Sequence, residues 1–133
     1  MSHIVLCHGV FDLLHLGHIR HLEEARSFGD KLIVSVVPDK FAVKRVPIFN
    51  ETERMAMLNS LKCVDGVFLC GAPGPELLIK FLNPNVYVRG ADYTGKLMPE
   101  SYLLESLGIE VRYTAYEPSH KRTSEIIEKI RCQ

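Results

Sequence analysis

Two histidines stand three residues apart in the run His15-Leu16-Gly17-His18. At the start of a helix that spacing projects both imidazoles to one side. A helix N-terminus also presents unpaired N–H groups and a partial positive charge. Gly17 carries no side chain where an anion must approach the backbone. Together these groups make a binding site for phosphate oxygens. A single histidine here would read as a surface or capping residue. Two of them, lying between glycines and directly after an apolar run, read as a ligand site. A metal centre through His15, His18 and His21 lacks the local carboxylate or cysteine that would complete it.

The elements that must hold this site are legible from the spacing of apolar residues. Ile4 to Cys7 is a compact apolar run ending in His8-Gly9. Leu16, Ile19, Leu22 and Ala25 repeat as one face of a helix, with Gly29 as its stop. Leu32 to Val37 is a β-branched strand closed by Pro38, and residues 38–49 read as a loop. Asn50 with Glu53 reads as an N-cap pair for a helix burying Met55, Leu58 and Leu61. Val64 to Cys70 is the third strand, followed by a helix carrying Leu77, Leu78, Phe81 and Leu82. Val86 to Val88 and Ile109 to Tyr113 are the last strands. Tyr102 to Leu107 and Thr123 to Arg131 are the last helices.

Continuously apolar strands alternating with helices predict an α/β fold, a mainly parallel five-stranded sheet covered by helices on both faces. In such folds a ligand sits beyond the carboxyl ends of the strands. The segments after the strands are therefore the ones that count. They hold Gly9 to His18, the basic residues Lys44 and Arg45, the run Arg89-Gly90-Ala91-Asp92-Tyr93, and Thr123-Ser124. Bland readings stand beside these: solvated loop charges for Lys44 and Arg45, a local ion pair for Arg54, a turn for Asp92, helix caps for Thr123 and Ser124.

With 133 residues, 47% of them hydrophobic, the chain has the size of one domain, 1–133, able to bury a core unaided. Sixteen basic residues balance sixteen acidic ones, which disfavours a general nucleic-acid binder, as does the absence of Trp. No apolar run is long enough to cross a bilayer, and no signal-peptide pattern opens the chain. The four cysteines are widely spaced, with Cys7 and Cys70 expected as buried thiols, so a cytoplasmic location is expected. Gly90 to Leu97 nearly matches a P-loop, but Leu97 replaces the hydroxyl residue that pattern requires.

The Gly9 to His18 segment resembles the H-x-G-H signature of the cytidylyltransferase-like nucleotidyltransferases, a Rossmann-like family. Its lead-in is similar to the branch holding glycerol-3-phosphate cytidylyltransferase and the heptose 1-phosphate adenylyltransferase domain. The likeness extends through Gly29-Asp30, Lys44-Arg45, Glu53-Arg54-Met55, Arg89 to Tyr93 and Thr123-Ser124, nearly the whole chain. The final motif departs from the family's usual Ser-Thr-Thr, reading Arg122-Thr123-Ser124.

The resemblance implies transfer of a nucleoside monophosphate from ATP or CTP to a phosphorylated sugar or polyol, with release of pyrophosphate. The heptose 1-phosphate adenylyltransferase activity is the first expectation. A cytidylyltransferase using glycerol 3-phosphate or a similar phosphorylated or phosphonate acceptor is the second. A non-catalytic nucleotide-binding module is the alternative of another class. It further implies His15, His18 and Lys44 as catalytic residues, and Gly9, Val10, Phe11, Gly17, Arg89, Gly90, Asp92, Thr123 and Ser124 as nucleotide contacts. Asp12, Arg45 and Arg54 are the implied acceptor contacts, with Mg²⁺ accompanying the triphosphate and no protein-bound metal. A homodimer is expected, with no nucleic acid and no membrane as partner.

Overall fold

The aliphatic and β-branched runs form five strands in the computed structural model, which describes residues 2–42, 46–116 and 120–132. They are β1 (Ile4–Gly9), β2 (Lys31–Val36), β3 (Gly66–Leu69), β4 (Val86–Arg89) and β5 (Glu110–Tyr113). The helices between and after them are α1 (Leu16–Arg26), α2 (Glu51–Asn59), α3 (Glu76–Leu82), α4 (Ser101–Ser106) and α5 (His120–Arg131). The strands lie in the order β3-β2-β1-β4-β5, and each neighbouring pair is parallel. The Rossmann-like α/β expectation is met.

Alternation along each strand assigns side chains to two faces. Val5, Cys7, Val34, Val36 and Val88 pack with Leu22 and Ala25 of α1 and Leu58 of α2. Leu6 and Tyr87 point the other way and pack with Ile79 of α3 and Leu104 of α4. Each such aliphatic side chain contributes about 1.5–3 kcal/mol when fully removed from water. Cys7 and Cys70 are buried free thiols, as expected.

Asn50 and Glu53 cap α2 reciprocally: Asn50 Oδ1 accepts from the Glu53 N–H at 2.9 Å, and Glu53 Oε1 from the Asn50 N–H at 3.3 Å. Helix α1 stops sooner than expected, at Arg26 with Ser27 as its cap. Gly29 serves a different purpose. A Cβ there would lie 2.5 Å from the His3 carbonyl, so the glycine lets the chain return close beside β1. Strand β3 begins two residues later than its apolar run, because the Val64 N–H closes a turn on the Leu61 carbonyl. Helix α5 begins at His120, which puts Thr123 and Ser124 inside the helix rather than at its cap.

Candidate functional site

A cavity of about 600 Å³ opens over the carboxyl ends of β1 and β4. There the order of connection reverses, since β1 is flanked by β2 on one side and β4 on the other. Its wall takes Gly9, Val10, Phe11 and Asp12 from the β1–α1 connection and His18 and His21 from α1. Arg89 and Gly90 at the end of β4, Glu100 before α4 and Thr123 of α5 complete the opposite parts.

The two signature histidines cap their own helix. His15 is the N-cap of α1, and its Nδ1 accepts from the Gly17 N–H at 3.1 Å. His18 Nδ1 accepts from the His15 N–H at 3.2 Å. This is a capping box in which imidazoles replace the usual hydroxyl and carboxylate. Accepting at Nδ1 leaves the neutral ring's proton on Nε2 in both residues. The rings lie against each other, centroids 3.9 Å apart and tilted by 37°. Burial, reinforced by His15 and His21 and opposed by Asp12, pushes the His18 imidazole down to about 3. His18 is therefore a neutral N–H donor at physiological pH and a poor base.

The loop that leads into α1 is strained and tightly held. Phe11 and Leu13 have φ of +55° and +50°, the left-handed region that side-chain-bearing residues rarely adopt. Each costs on the order of 1–3 kcal/mol and persists only where its surroundings fix it. Asp12, between them and buried, accepts from the Ile48 N–H at 2.8 Å and the Phe49 N–H at 3.0 Å. The Thr123 hydroxyl donates to the Asp12 carbonyl at 3.2 Å, tying α5 to the same loop. A Cβ on Gly9 would meet the Phe11 ring at 3.0 Å, so that ring can fold back over β1 only above a glycine.

Arg54 is the largest of these clamps. Its side chain is fully buried and donates to the carbonyls of Phe49, Val10 and Val37 and to Asp39 Oδ1, at 2.7–3.1 Å. It joins the connections after β1 and β2 to the entry of α2, and it does not line the cavity. Arg54, expected as an acceptor contact, thus lies away from this cavity with its guanidinium held by backbone carbonyls and Asp39.

Opposite α1 lies a polar cluster on the α3/α4 face of the sheet. Arg89 and Glu100, both buried, pair at 3.0 Å, and the Tyr87 hydroxyl donates to the same carboxylate oxygen at 3.3 Å. His8 Nδ1 lies 3.0 Å from Ser35 Oγ, and the ring also bonds the Pro73 backbone, which as proline offers only its carbonyl. Burial lowers His8 to about 4 despite Glu100 and the Pro73 bond. His21, lowered to about 4 by burial, holds Thr114 Oγ1 at 2.7 Å and so joins α1 to the segment after β5.

Of the residues expected at the site, Gly9, Val10, Phe11, Asp12, His18, Arg89, Gly90 and Thr123 line one cavity. His15, Gly17, Asp92 and Ser124 lie outside that lining. Lys44 and Arg45 fall outside the described residues, although Ala42 and Pro47 on either side line the cavity. No site role for His8 or Glu100 was legible in the sequence, and His21 was weighed only as a third metal ligand. A histidine closing a strand was the available signal for His8, and the i+3 step from His18 for His21.

Among the described residues, no group of three or more histidines, cysteines or acids is arranged to hold a metal. Both Asp12 carboxylate oxygens accept backbone N–H groups. The described residues thus show no preformed all-protein site for Mg²⁺. No helix of the described residues is long and apolar enough to cross a membrane.

The profile of the cytidylyltransferase-like family matches residues 6–129, from β1 through most of α5. The chain belongs to the cytidylyltransferase-like family. It is 40% identical over 133 residues to the bifunctional protein HldE of Geotalea uraniireducens, covering 96% of this chain and 27% of that protein. The HldE of Helicobacter pylori is likewise 40% identical, with the same coverage of both chains. The chain thus spans about a quarter of the length of these curated relatives. The crystal structure of a lipopolysaccharide core biosynthesis protein from Thermoplasma volcanium is similar at a TM-score of 0.76 and 30% identity, covering 88% of this chain and 99% of that one. Pantothenate synthetase from Thermus thermophilus, at 19% identity and a TM-score of 0.53, covering 83% of this chain and 54% of that one, shares the fold. The cytidylyltransferase-like signature His15-Leu16-Gly17-His18 is the capping box described above.

Proposed function

We propose that the protein transfers a nucleoside monophosphate from ATP to a phosphorylated sugar and releases pyrophosphate, as a heptose 1-phosphate adenylyltransferase does. The observation that carries this reading is the pair of Nδ1 caps, which turns two neutral imidazoles into Nε2–H donors at the start of α1. Neutral donors suit this chemistry. The attacking group is a phosphate monoester whose second pKa is near ~6, so at neutral pH it needs no general base. An imidazole held near pKa 3 could not serve as one. The work lies in positioning two anionic reactants and in stabilising charge on the α-phosphate.

In this reading His18 donates to the α-phosphate. Lys44, with Arg45, holds the β- and γ-phosphates that leave as pyrophosphate. Gly90 and its neighbours after β4 flank the nucleoside. Mg²⁺ arrives as the counter-ion of the triphosphate, and no residue described here is assigned to it. The likeness to HldE over nearly the whole chain supports a sugar phosphate as acceptor. A cytoplasmic homodimer completes the reading. Free thiols suit a reducing compartment, and light scattering reads the assembly.

Pyrophosphate release with each of the four triphosphates, against heptose 1-phosphate and glycerol 3-phosphate, tests the proposal. ATP with heptose 1-phosphate should turn over fastest. Turnover confined to CTP and glycerol 3-phosphate would instead make the protein a polyol-phosphate cytidylyltransferase. Tight nucleotide binding without turnover on any pair would make it a binding module.

A further inference from the structure

The mechanism above leaves one buried ion pair on the cavity wall without a task. Arg89 and Glu100 lie on the face of the sheet covered by α3 and α4, as shown by the packing of Tyr87 with Ile79 and Leu104. Arg89 follows Tyr87 by two residues and so shares its face. Helix α1, with His18, covers the other face. The cavity spans the sheet's edge between the two.

A buried ion pair is weak support for stability, because desolvation offsets most of its attraction. Its place on a cavity wall calls for a ligand. The charged side chains that line the cavity, among the described residues, are Asp12, Glu76, Glu100 and Arg89, three acids to one base. On the α3/α4 side of the cavity Glu76 and Glu100 face a single base, Arg89, a composition that disfavours phosphate there. A carboxylate and a guanidinium side by side instead suit hydroxyl groups, which donate to one and accept from the other. The Tyr87 hydroxyl and Arg89 both bond Glu100 Oε2, which orients the carboxylate. Arg89 Nε is buried and makes no hydrogen bond among the described residues.

In-line displacement supplies the direction. The attacking oxygen and the leaving pyrophosphate must lie on opposite sides of the α-phosphate. If the polyphosphate lies at the start of α1, the acceptor enters from the α3/α4 side. We propose that Arg89 and Glu100 form the subsite that reads the hydroxyl groups of the acceptor, making the enzyme selective for a polyhydroxylated phosphate over a bare one. The proposal rests on the nucleotidyltransferase reading and assigns Arg89 to the acceptor rather than to the nucleotide.

Binding, rather than turnover, separates the two claims. Calorimetry would measure heptose 1-phosphate and methyl phosphate on the full chain held with a non-hydrolysable ATP analogue. Wild type should bind heptose 1-phosphate roughly 10- to 100-fold more tightly than methyl phosphate, the range of a hydrogen bond to a charged group. Glu100→Gln and Arg89→Lys should remove most of that preference while leaving affinity for the ATP analogue within about twofold. Should either variant fail to fold, wild type with singly deoxygenated heptose 1-phosphates gives the same reading, a comparable loss at one or two hydroxyl positions. Equal binding of heptose 1-phosphate and methyl phosphate by wild type would overturn the proposal. So would variants that lose the ATP analogue, together with a matching loss for its 2′-deoxy form on wild type, since that places the ribose against Glu100. Absence of turnover with every triphosphate would sink the enzymatic reading alone.

Discussion

The backbone N–H of His15 donates to Nδ1 of His18 across 3.2 Å. This one bond caps the start of the helix and chooses the tautomer of the ring that faces the cavity. The same logic applies two residues on, where the Gly17 N–H fixes His15. Long-range ¹H–¹⁵N spectra of the histidine rings should therefore show Nε2 protonated and Nδ1 bare in both residues. The Nε2 signals should move when a non-hydrolysable ATP analogue is added. Protonated Nδ1 in either ring would contradict the capping geometry.

Burial keeps His8, His18 and His21 neutral, at about 4, 3 and 4. In the unfolded chain each returns to about 6.5. The sign follows. Above about 6.5 both states are neutral and the stability is complete. Below it only the unfolded chain binds protons, so stability falls as pH drops towards the folded values. Each such group contributes a slope of about 1.4 kcal/mol per pH unit over that window. Urea melts should show a midpoint that drops steadily from pH 7 to pH 5, and His21→Gln should reduce the slope by about one proton. Equal midpoints at both pH values would show that these rings are charged or exposed in the fold.

Arg54 binds three carbonyls and Asp39 from a fully buried position. Arg54→Met strands those acceptors and should cost about 3–5 kcal/mol of folding stability. Asp39 is partly exposed, its side chain at 41%, so Asp39→Asn should cost no more than about 1 kcal/mol. Chemical denaturation of the two variants measures the contrast. Similar losses would mean that the pair, not the backbone clamp, is what matters.

Asp12 spends its two carboxylate oxygens on Ile48 and Phe49. Asp12→Asn leaves one of those N–H groups without an acceptor and should loosen the strained β1–α1 loop. The expected outcome is a fall in kcat of about tenfold, the scale of one lost buried hydrogen bond, at an unchanged Mg²⁺ midpoint. A shift in the Mg²⁺ titration would instead make Asp12 a metal ligand.

The sequence showed best what depends on local spacing. His15 and His18 are separated by one helical turn, and Asn50 and Glu53 by the capping interval, so both pairs were visible without tertiary knowledge. The strand runs exposed the α/β pattern because a parallel sheet buries both faces. The clamp made by Arg54 was not legible because its partners are backbone carbonyls from three distant connections, which no side-chain pattern announces. Glu100 went unnoticed for a related reason: its partner Arg89 sits eleven residues earlier on a strand. The start of β3 is set by the turn at Leu61 and Val64 rather than by its own apolar residues.

The central claim is that the His18 Nε2–H stabilises charge on the α-phosphate. The direct measurement is single-turnover pyrophosphate release by His18→Ala at saturating ATP and heptose 1-phosphate, with its fold verified by circular dichroism. Loss of one such donor should slow the chemical step by about 10²–10³. A folded His18→Ala protein releasing pyrophosphate at the wild-type rate would contradict the account.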